Sequence, residues 1–325
     1  MKTRIFLAVI LLCIYYVGAE KSFRVVSFNT WQMGLHVEEG MEKLAKHILA
    51  LEPDIVSLQE VQTPESAQNL TSLLPEGWTI IYANKLYPDV ALLTKHRIIE
   101  ESVENTTAGI HARIELPDGQ QVSFWAYHGF WRAYGPYAAF NRLVTNLSQI
   151  LDGEHVPLKS KIGRAENVKE ILKSRSMAHD LSVLERVPII IAGDFNSPSH
   201  LDWTNETSHL HGDWVVPWPS TEILMENGFI DAYREEFPDP ISHPGLTWST
   251  VCKENVEWEY AFPEPQDRLD FIFYRGHVKP LRTELYAGNE PLEKMPNHKM
   301  NDFPSDHYVI YTDFEISRLS NAIEK

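Results

Sequence analysis

The chain has 325 residues, of which 43% are hydrophobic and 23% are charged, and its formal net charge at pH 7 is −16. This acidic surplus disfavours tight, sequence-independent binding to nucleic acid, because such binding depends on lysine and arginine side chains that neutralise phosphates. It does not exclude an enzyme that acts on phosphate esters, since bound divalent cations cancel negative charge locally.

The N-terminus has the pattern of a secretory signal peptide over residues 1–19. Lys2 and Arg4 precede an apolar run from Ile5 to Val17, and small residues follow it. The run is short for a bilayer span, although an uncleaved membrane anchor is the alternative. We therefore expect residues 20–325 to form one secreted domain. Removal of the two basic residues leaves 27 basic against 45 acidic residues, a net charge near −18.

Export is also consistent with the sparse use of cysteine and with the glycosylation motifs. Cys13 lies in the predicted signal peptide, so Cys252 has no partner for an internal disulfide, and we expect it to be buried. Four Asn-X-Ser/Thr motifs are candidate N-glycosylation sites on the surface of an exported chain. They lie at Asn69, Asn105, Asn146 and Asn205.

Apolar runs with strand character alternate with helical patterns along the chain. The turn residues Pro117-Asp118-Gly119-Gln120 separate two such runs and predict a hairpin. Hairpins mixed with helical crossovers favour an α/β sandwich of two sheets over a single parallel sheet. In chain order, we predict strands over 23–28, 55–58, 78–82, 90–94, 110–116, 121–126, 188–192, 270–274 and 308–314, and helices over 38–51, 137–151, 165–184 and 221–227.

Polar side chains stand at the ends of several predicted strands. The clearest case is PIIIAGDFNSP, in which a buried strand runs into Asp194 and Asn196. Asp270 is a lone carboxylate in an otherwise apolar strand, and burying it unpaired would be costly. The remaining members of the set are Asn29, Glu60, His128, Asp306 and His307.

These residue types suit the hydrolysis of a phosphate ester. Mg²⁺ prefers carboxylate and carboxamide oxygen ligands, and a cation neutralises the phosphoryl oxygens. Histidine is suited to proton transfer at neutral pH, and a carboxylate commonly orients such a histidine. Each residue also has a structural explanation when taken alone: Asn29 as a turn cap, Glu60 as a helix-start carboxylate, His128 as a core histidine, and Asp194 with Asn196 as an Asx-turn. The ordered set favours the functional interpretation.

The motifs SFNTW, LQE, GDFN, RLDFIF and SDH, in this order, resemble those of the endonuclease/exonuclease/phosphatase superfamily from Val26 to about Phe314. The resemblance implies a four-layer sandwich of two packed mixed β-sheets flanked by helices, as in deoxyribonuclease I. It also implies a Mg²⁺-dependent phosphodiesterase, with Mn²⁺ as a substitute, acting on a nucleic acid, a phospholipid or a small diester; the N-terminal pattern makes this a secreted member. No obligate protein partner and no transmembrane segment are inferred.

The resemblance also assigns roles to the strand-end residues. Glu60 would be the main metal ligand, with Asn29 and Asp306 assisting. Asp194 would position or deprotonate the attacking water, and Asn196 would hold a phosphate oxygen. His307, oriented by Asp270, would act as base or transition-state stabiliser, and His128 would stabilise the phosphoryl oxygens or assist the leaving group.

Several further residues are candidates for the substrate-binding surface. The segment after His128 is aromatic with one arginine, a composition that suits stacking and a phosphate clamp. We expect the cleft to include Asp89, Arg132, Tyr137, His200 and Asp202.

Three alternatives remain open. A sphingomyelinase-like phospholipase C would bind membranes, through a stretch such as Trp214–Pro219 unless that stretch packs as core. A catalytically silent binding protein with the same fold is the alternative from another class. A Zn²⁺ site built from His200, His209, His211 and Asp213 is a third, although its spacing matches no standard motif.

Overall fold

The computed structural model describes residues 22–155 and 162–316, so the predicted signal peptide lies outside the described residues. The described strands form two six-stranded sheets. In chain order they are β1 (Ser22–Asn29), β2 (Ile55–Val61), β3 (Thr79–Tyr82), β4 (Asp89–Thr94), β5 (Arg97–Asn105), β6 (Gly109–Glu115), β7 (Gln121–His128), β8 (Ile189–Asp194), β9 (Ile230–Asp231), β10 (Asp270–Arg275), β11 (Val278–Tyr286) and β12 (Val309–Ile316).

Each sheet is mixed, with one parallel pair near its centre. The first sheet has the order β11-β12-β1-β2-β4-β3, and the second has the order β5-β6-β7-β8-β10-β9. Strands β1 and β2 are parallel in the first sheet, and β7 and β8 are parallel in the second. The other pairs are antiparallel, so the predicted combination of hairpins and crossovers is confirmed.

The two sheets pack face to face over an apolar core. Successive side chains of a strand point to opposite faces of its sheet. In the central strands one face meets the other sheet and the other face is covered by helices, so nearly all of their side chains are buried. Ser57 also links the sheets, since its hydroxyl donates to the carbonyl of Ala192 at 2.8 Å. The inner core includes Val25, Ile55, Leu92, Phe124, Ile190, Ile272, Ile310 and Phe314.

Helices cover the outer faces of both sheets, which completes the four predicted layers. Apolar residues of α2 and α3 pack on the first sheet, and those of α7 and α9 pack on the second. The helical segments are α1 (Trp31–Gly34), α2 (Gly40–Leu51), α3 (Pro64–Ser72), α4 (Gly135–Phe140), α5 (Leu147–Ile150), α6 (Asp152–His155), α7 (Arg164–Leu172), α8 (Arg175–Ser182), α9 (Pro219–Glu226) and α10 (Ala232–Glu236).

Two predicted helices are interrupted. The helix expected over 165–184 divides into α7 and α8, because the hydroxyl of Ser174 accepts from the backbone N–H of Met177 and begins a new helix. The helix expected over 137–151 divides into α4, α5 and α6. Arg142 has a φ of 55°, which ends α4, and Asn146 caps α5. The apolar periodicity extended across both breaks, so it did not reveal them.

Strands β5 and β11 were not predicted. Both lie at sheet edges and are rich in charged residues, with one face exposed to solvent. Edge strands carry such charges without loss of stability because only one face is buried. Pro280 lies at an irregularity in the β11–β12 pairing, where a missing N–H is tolerated.

The expected burial of Cys252 is confirmed. Cys252 is buried with a free thiol. Within Trp214–Pro219, the side chains of Val216 and Trp218 are 1% and 0% exposed, so this stretch packs mainly as core. Across residues 22–155 and 162–316, no helix is long and apolar enough to cross a membrane. The four sequon asparagines are exposed.

Candidate active site

Three of the polar side chains are brought together by the register of the second sheet. His128 ends β7 and lies opposite Asp194, the last residue of β8. Asp270 begins β10 and pairs with Asp194 from the antiparallel side. The glycine before Asp194 is required here, because a Cβ on Gly193 would lie 1.9 Å from the carbonyl oxygen of Tyr127. The close approach of β7 and β8 therefore places His128 beside Asp194.

His307 and Asp270 form a hydrogen-bonded pair. His307 Nδ1 lies 2.8 Å from Asp270 Oδ2, and its Nε2 lies 3.7 Å from Asp194 Oδ2. Burial lowers the pKa of His307, but the carboxylates of Asp270 and Asp194 outweigh burial and raise the pKa to about 10. The ring of Trp248 packs against the imidazole, with 4.9 Å between ring centroids. The pair thus fixes which His307 nitrogen faces Asp194.

His128 is held by partners on both ring nitrogens. Nδ1 lies 3.0 Å from Asp89 Oδ1, and Nε2 lies 3.0 Å from Asn196 Nδ2, which also donates to the carbonyl of Gly129. This pattern fits a neutral ring with its proton on Nδ1. Burial lowers the pKa of His128, but Asp89 and Asp194 outweigh it and raise the pKa to about 9. The protonated ring, which this pKa favours at pH 7, carries an N–H on Nε2 as well as on Nδ1.

A second group of polar side chains comes from the first sheet and from the loop before its strand β12. Asn29 Nδ2 donates to Asp194 Oδ2 at 3.0 Å and lies 3.5 Å from Glu60 Oε1, which joins the two sheets at the site. Asp306 is 6% exposed, and its Oδ1 has no hydrogen-bond partner among the described residues. Burial raises the pKa of Asp306 to about 8; His307 opposes the shift, and Glu60 adds to it.

These residues fit a divalent cation. An orphaned buried carboxylate oxygen on Asp306, together with the like charge of Glu60, is an arrangement that a cation would stabilise. Asp194, Asp270 and His307 also offer ligand atoms within 4.8 Å of one another. His307 Nδ1 is already engaged with Asp270, however, so the Glu60 and Asp306 side is the better oxygen-donor site.

The turn that supports Glu60 was not predicted. All four residues of α1, Trp31–Gly34, have positive φ values between 45° and 73°, so the segment is one left-handed turn. Its Gln32 N–H donates to Glu60 Oε2 at 2.9 Å, and Glu60 itself has a φ of 62°. Non-glycine residues in this region are strained, and strain of this kind concentrates at functional sites. Apart from Gly34, no residue signals the turn in the sequence.

The site opens into a cleft of about 480 Å³. Of the substrate-binding candidates, Asp89 and Tyr137 line it. Arg132 is not among the lining residues, but its guanidinium lies 4.8 Å from the centroid of the ring of Trp131, which lines the cleft. The cleft-lining residues that sequence analysis missed are Trp31, Gln32, Gln62, Trp131, Tyr134, Trp248 and Leu269. The aromatic composition after His128 was the available signal for Trp131 and Tyr134.

Two substrate-binding predictions are wrong. His200 does not line the cleft, because its Nδ1 bonds the hydroxyl of Thr221 at 2.8 Å. Asp202 is also elsewhere: it accepts from Arg234 Nε at 2.7 Å and from Arg268 Nε at 2.9 Å. Both residues stabilise the long excursion between β8 and β10 rather than the cleft.

The alternative Zn²⁺ site is not assembled in the described part of the chain. The ring of His211 stacks on Trp203, with 4.0 Å between centroids. Asp213 pairs with Arg142 at the surface. These donors are therefore used in separate contacts, and the four candidate ligands are not among the groups of the described residues that are close enough to share an ion.

Comparison with known proteins agrees with this architecture. An uncharacterized protein of Caenorhabditis elegans is 45% identical over 297 residues, covering 91% of this chain and 92% of that protein. The inositol phosphosphingolipids phospholipase C of Schizosaccharomyces pombe is 24% identical over 322 residues, covering 89% of this chain and 67% of that enzyme. The structure of D. rerio TDP2 in complex with a single-stranded DNA product superposes with a TM-score of 0.55 at 17% identity, covering 90% of this chain and 99% of that one.

The superposition covers 90% of this chain, so the four-layer fold that the sequence motifs implied is confirmed. The family model described as the endonuclease/exonuclease/phosphatase family matches residues 26–307. That span begins in β1 and ends at His307, and it contains every polar strand end described above. The chain therefore belongs to the endonuclease/exonuclease/phosphatase family, whose members are hydrolases that act on phosphoester bonds.

Proposed function

We propose that this protein is a secreted, divalent-metal-dependent phosphodiesterase. One observation carries the proposal: Asp194 and Asp270 of the second sheet meet Glu60 of the first sheet and the Asp306–His307 segment before β12 at one cleft. A structural role would not require five buried or half-buried ionisable groups at one point, because each costs free energy to bury. A reaction that develops negative charge on phosphate needs such an arrangement.

The metal is assigned to the Glu60 side of the cleft. Glu60 and Asp306 would hold the cation. Asn29 lies beside them, between the carboxylates of Glu60 and Asp194. When bound, a divalent cation neutralises phosphoryl oxygens and lowers the pKa of a bound water. Mg²⁺ is the proposed ion and Mn²⁺ its substitute, since both prefer oxygen ligands.

The chain's own residues supply the proton transfers and the orientation. Asp270 accepts from His307 Nδ1, so that Nε2 faces the reacting atoms. Burial raises the pKa of Asp194, so this carboxylate can accept a proton from water. Asn196 and His128 also line the cleft, where their N–H groups can donate to the phosphoryl oxygens.

Secretion is part of the proposal and is supported by the N-terminal pattern and by the four exposed sequon asparagines. Expression of the full chain in a eukaryotic cell line tests it. We expect the protein in the medium, beginning near residue 20, and a mass decrease on treatment with an N-glycosidase. Retention of the uncleaved chain in the membrane fraction would refute secretion.

The substrate is best sought among nucleic acids, phospholipids and small diesters. A nuclease-like activity is supported by the fold shared with the DNA-bound TDP2. A phospholipase C activity is the second candidate, supported by the similarity to the S. pombe phosphosphingolipid phospholipase C over most of the chain. The two candidates predict plasmid nicking and the release of a phosphorylated headgroup, respectively.

The decisive experiment measures hydrolysis of plasmid DNA, sphingomyelin vesicles and bis-p-nitrophenyl phosphate by the mature protein. Each assay is run with Mg²⁺, with Mn²⁺ and with EDTA. We expect EDTA to abolish activity and excess Mg²⁺ to restore it. Asp194→Asn should lose activity, whereas Asp118→Asn, in an exposed hairpin turn, should retain it. A folded protein with no activity on any substrate would favour the silent binding protein instead.

A further inference from the structure

An aromatic groove lies directly beside the catalytic cleft. It encloses about 350 Å³ and is lined by Tyr137, Leu143, Trp258 and Phe262, together with Asn141, Asn255 and Pro263. The side chains of Leu143 and Trp258 are 72% and 61% exposed, an unusual exposure for large apolar groups that lie together. The groove is contiguous with the cleft because Tyr137 lines both.

The wall between cleft and groove is built around one buried carboxylate. Glu264 is 5% exposed and accepts from the Tyr137 hydroxyl at 2.6 Å, from Asn255 Nδ2 at 3.0 Å and from Trp248 Nε1 at 3.3 Å. Trp248 packs on His307 in the cleft, and Asn255 lines the groove. Glu264 therefore holds the two sites in a fixed relation.

The charge distribution indicates what kind of molecule spans both sites. Among the described residues, the cleft is lined by Glu60, Asp89, Asp194 and Asp306, while its only basic side chains are His128 and His307. The described lining of the groove contains no charged side chain. A polynucleotide would bring neighbouring phosphates against acidic or apolar surface, without the lysines and arginines that normally neutralise them. A single phosphate with an apolar substituent has no such conflict.

The geometry points to a phosphodiester with one hydrocarbon chain as the substrate: the phosphate lies in the cleft and the chain lies in the groove of Tyr137, Leu143, Trp258 and Phe262. This inference rests on the proposed phosphodiesterase function and narrows its substrate class. Binding of the chain is driven by removal of apolar surface from water, worth about fourfold in affinity for each buried methylene. The hydrolytic step itself is unchanged, with water adding to phosphorus and an alcohol leaving.

The test compares the methyl and decyl esters of p-nitrophenyl phosphate, with the decyl ester below its critical micelle concentration. Both esters release p-nitrophenol. The ratio of kcat/KM for the decyl ester to kcat/KM for the methyl ester therefore reports only the effect of the alkyl group. We expect the decyl ester to be favoured by about 50-fold, which corresponds to about three buried methylenes. Trp258→Ala combined with Phe262→Ala should lower this ratio at least about tenfold. Leu143→Ala, on a different segment, should lower it in the same direction.

Leu281→Ala is the matched control, because Leu281 is 50% exposed on β11, away from both sites; its ratio should equal that of the wild type. Equal hydrolysis of both esters by the wild type would overturn the inference but leave the phosphodiesterase intact. Hydrolysis of neither ester by folded protein, with Mg²⁺ or Mn²⁺ present, would instead overturn the proposed function. Preferred cleavage of a single-stranded oligonucleotide, reduced by the groove variants, would show that the groove stacks bases and would also overturn the inference.

Discussion

Replacing Asp202 by asparagine tests whether this residue stabilises the fold or binds substrate in the cleft, as the sequence suggested. Asp202 accepts three N–H groups: Arg234 Nε at 2.7 Å, Arg268 Nε at 2.9 Å and Arg268 Nη2 at 3.1 Å. Arg268 also donates to Asp231 at 2.7 Å. Two buried guanidinium groups are thus balanced by two carboxylates, and Arg268 and Arg234 are only 1% and 5% exposed.

The amide introduced by Asp202→Asn keeps the shape of the side chain but removes one negative charge, which leaves one buried positive charge uncompensated. Breaking a buried ion pair in this way costs about 3 to 5 kcal/mol in the free energy of unfolding. With a urea m-value of about 3 kcal/mol per M, the midpoint should fall by about 1 to 1.7 M. That loss is a large fraction of the usual stability of a domain.

The assay is urea unfolding followed by tryptophan fluorescence, together with kcat/KM for bis-p-nitrophenyl phosphate on folded protein. Asp213→Asn is the control, because Asp213 pairs with Arg142 at the surface, where such a pair contributes about 0 to 1 kcal/mol. We expect Asp202→Asn to lose stability while the folded fraction keeps its activity. A variant as stable as the control but inactive would refute the structural assignment and return Asp202 to the substrate site.

Three further predictions concern the site and a buried carboxylate of α8. Asp270→Asn should lower kcat by about 10² to 10⁴ with little change in KM, because His307 would lose the group that orients it; an unchanged kcat would contradict this. Gly193→Ala should destabilise the protein by about 1 to 3 kcal/mol and reduce activity, since its Cβ would meet the Tyr127 carbonyl; a thermal melt and the diester assay check both effects. The pKa of Asp180 is lowered from 3.8 to about 2, where burial is outweighed by hydrogen bonds. A lowered folded-state pKa stabilises the protein above about pH 4, and this contribution of about 2 kcal/mol is lost as the pH falls through about 2, so Asp180→Asn should flatten the acid limb of a stability–pH curve.

Much of the fold was predictable because its central strands are buried on both faces. Runs such as Ile189–Ala192 have no other stable placement, and the hairpin between β6 and β7 is signalled by its turn residues. The edge strands β5 and β11 were missed because a strand with one solvated face tolerates charge and loses the apolar pattern. Helix breaks were missed because capping by Ser174 or Asn146 depends on local geometry that periodicity does not report.

The sequence by itself indicated the family, the two-sheet architecture and the carboxylates and histidines that meet in the cleft, since polar groups at the ends of buried strands are conspicuous and must converge at a sheet edge. Only the tertiary structure decided which residues contact one another in and around the site. It pairs His128 with Asp89, supports Glu60 from a left-handed turn, and removes His200 and Asp202 from the cleft. The physical reason is distance along the chain: these contacts join residues separated by tens of positions, and local sequence patterns carry no information about which loop folds back onto which strand.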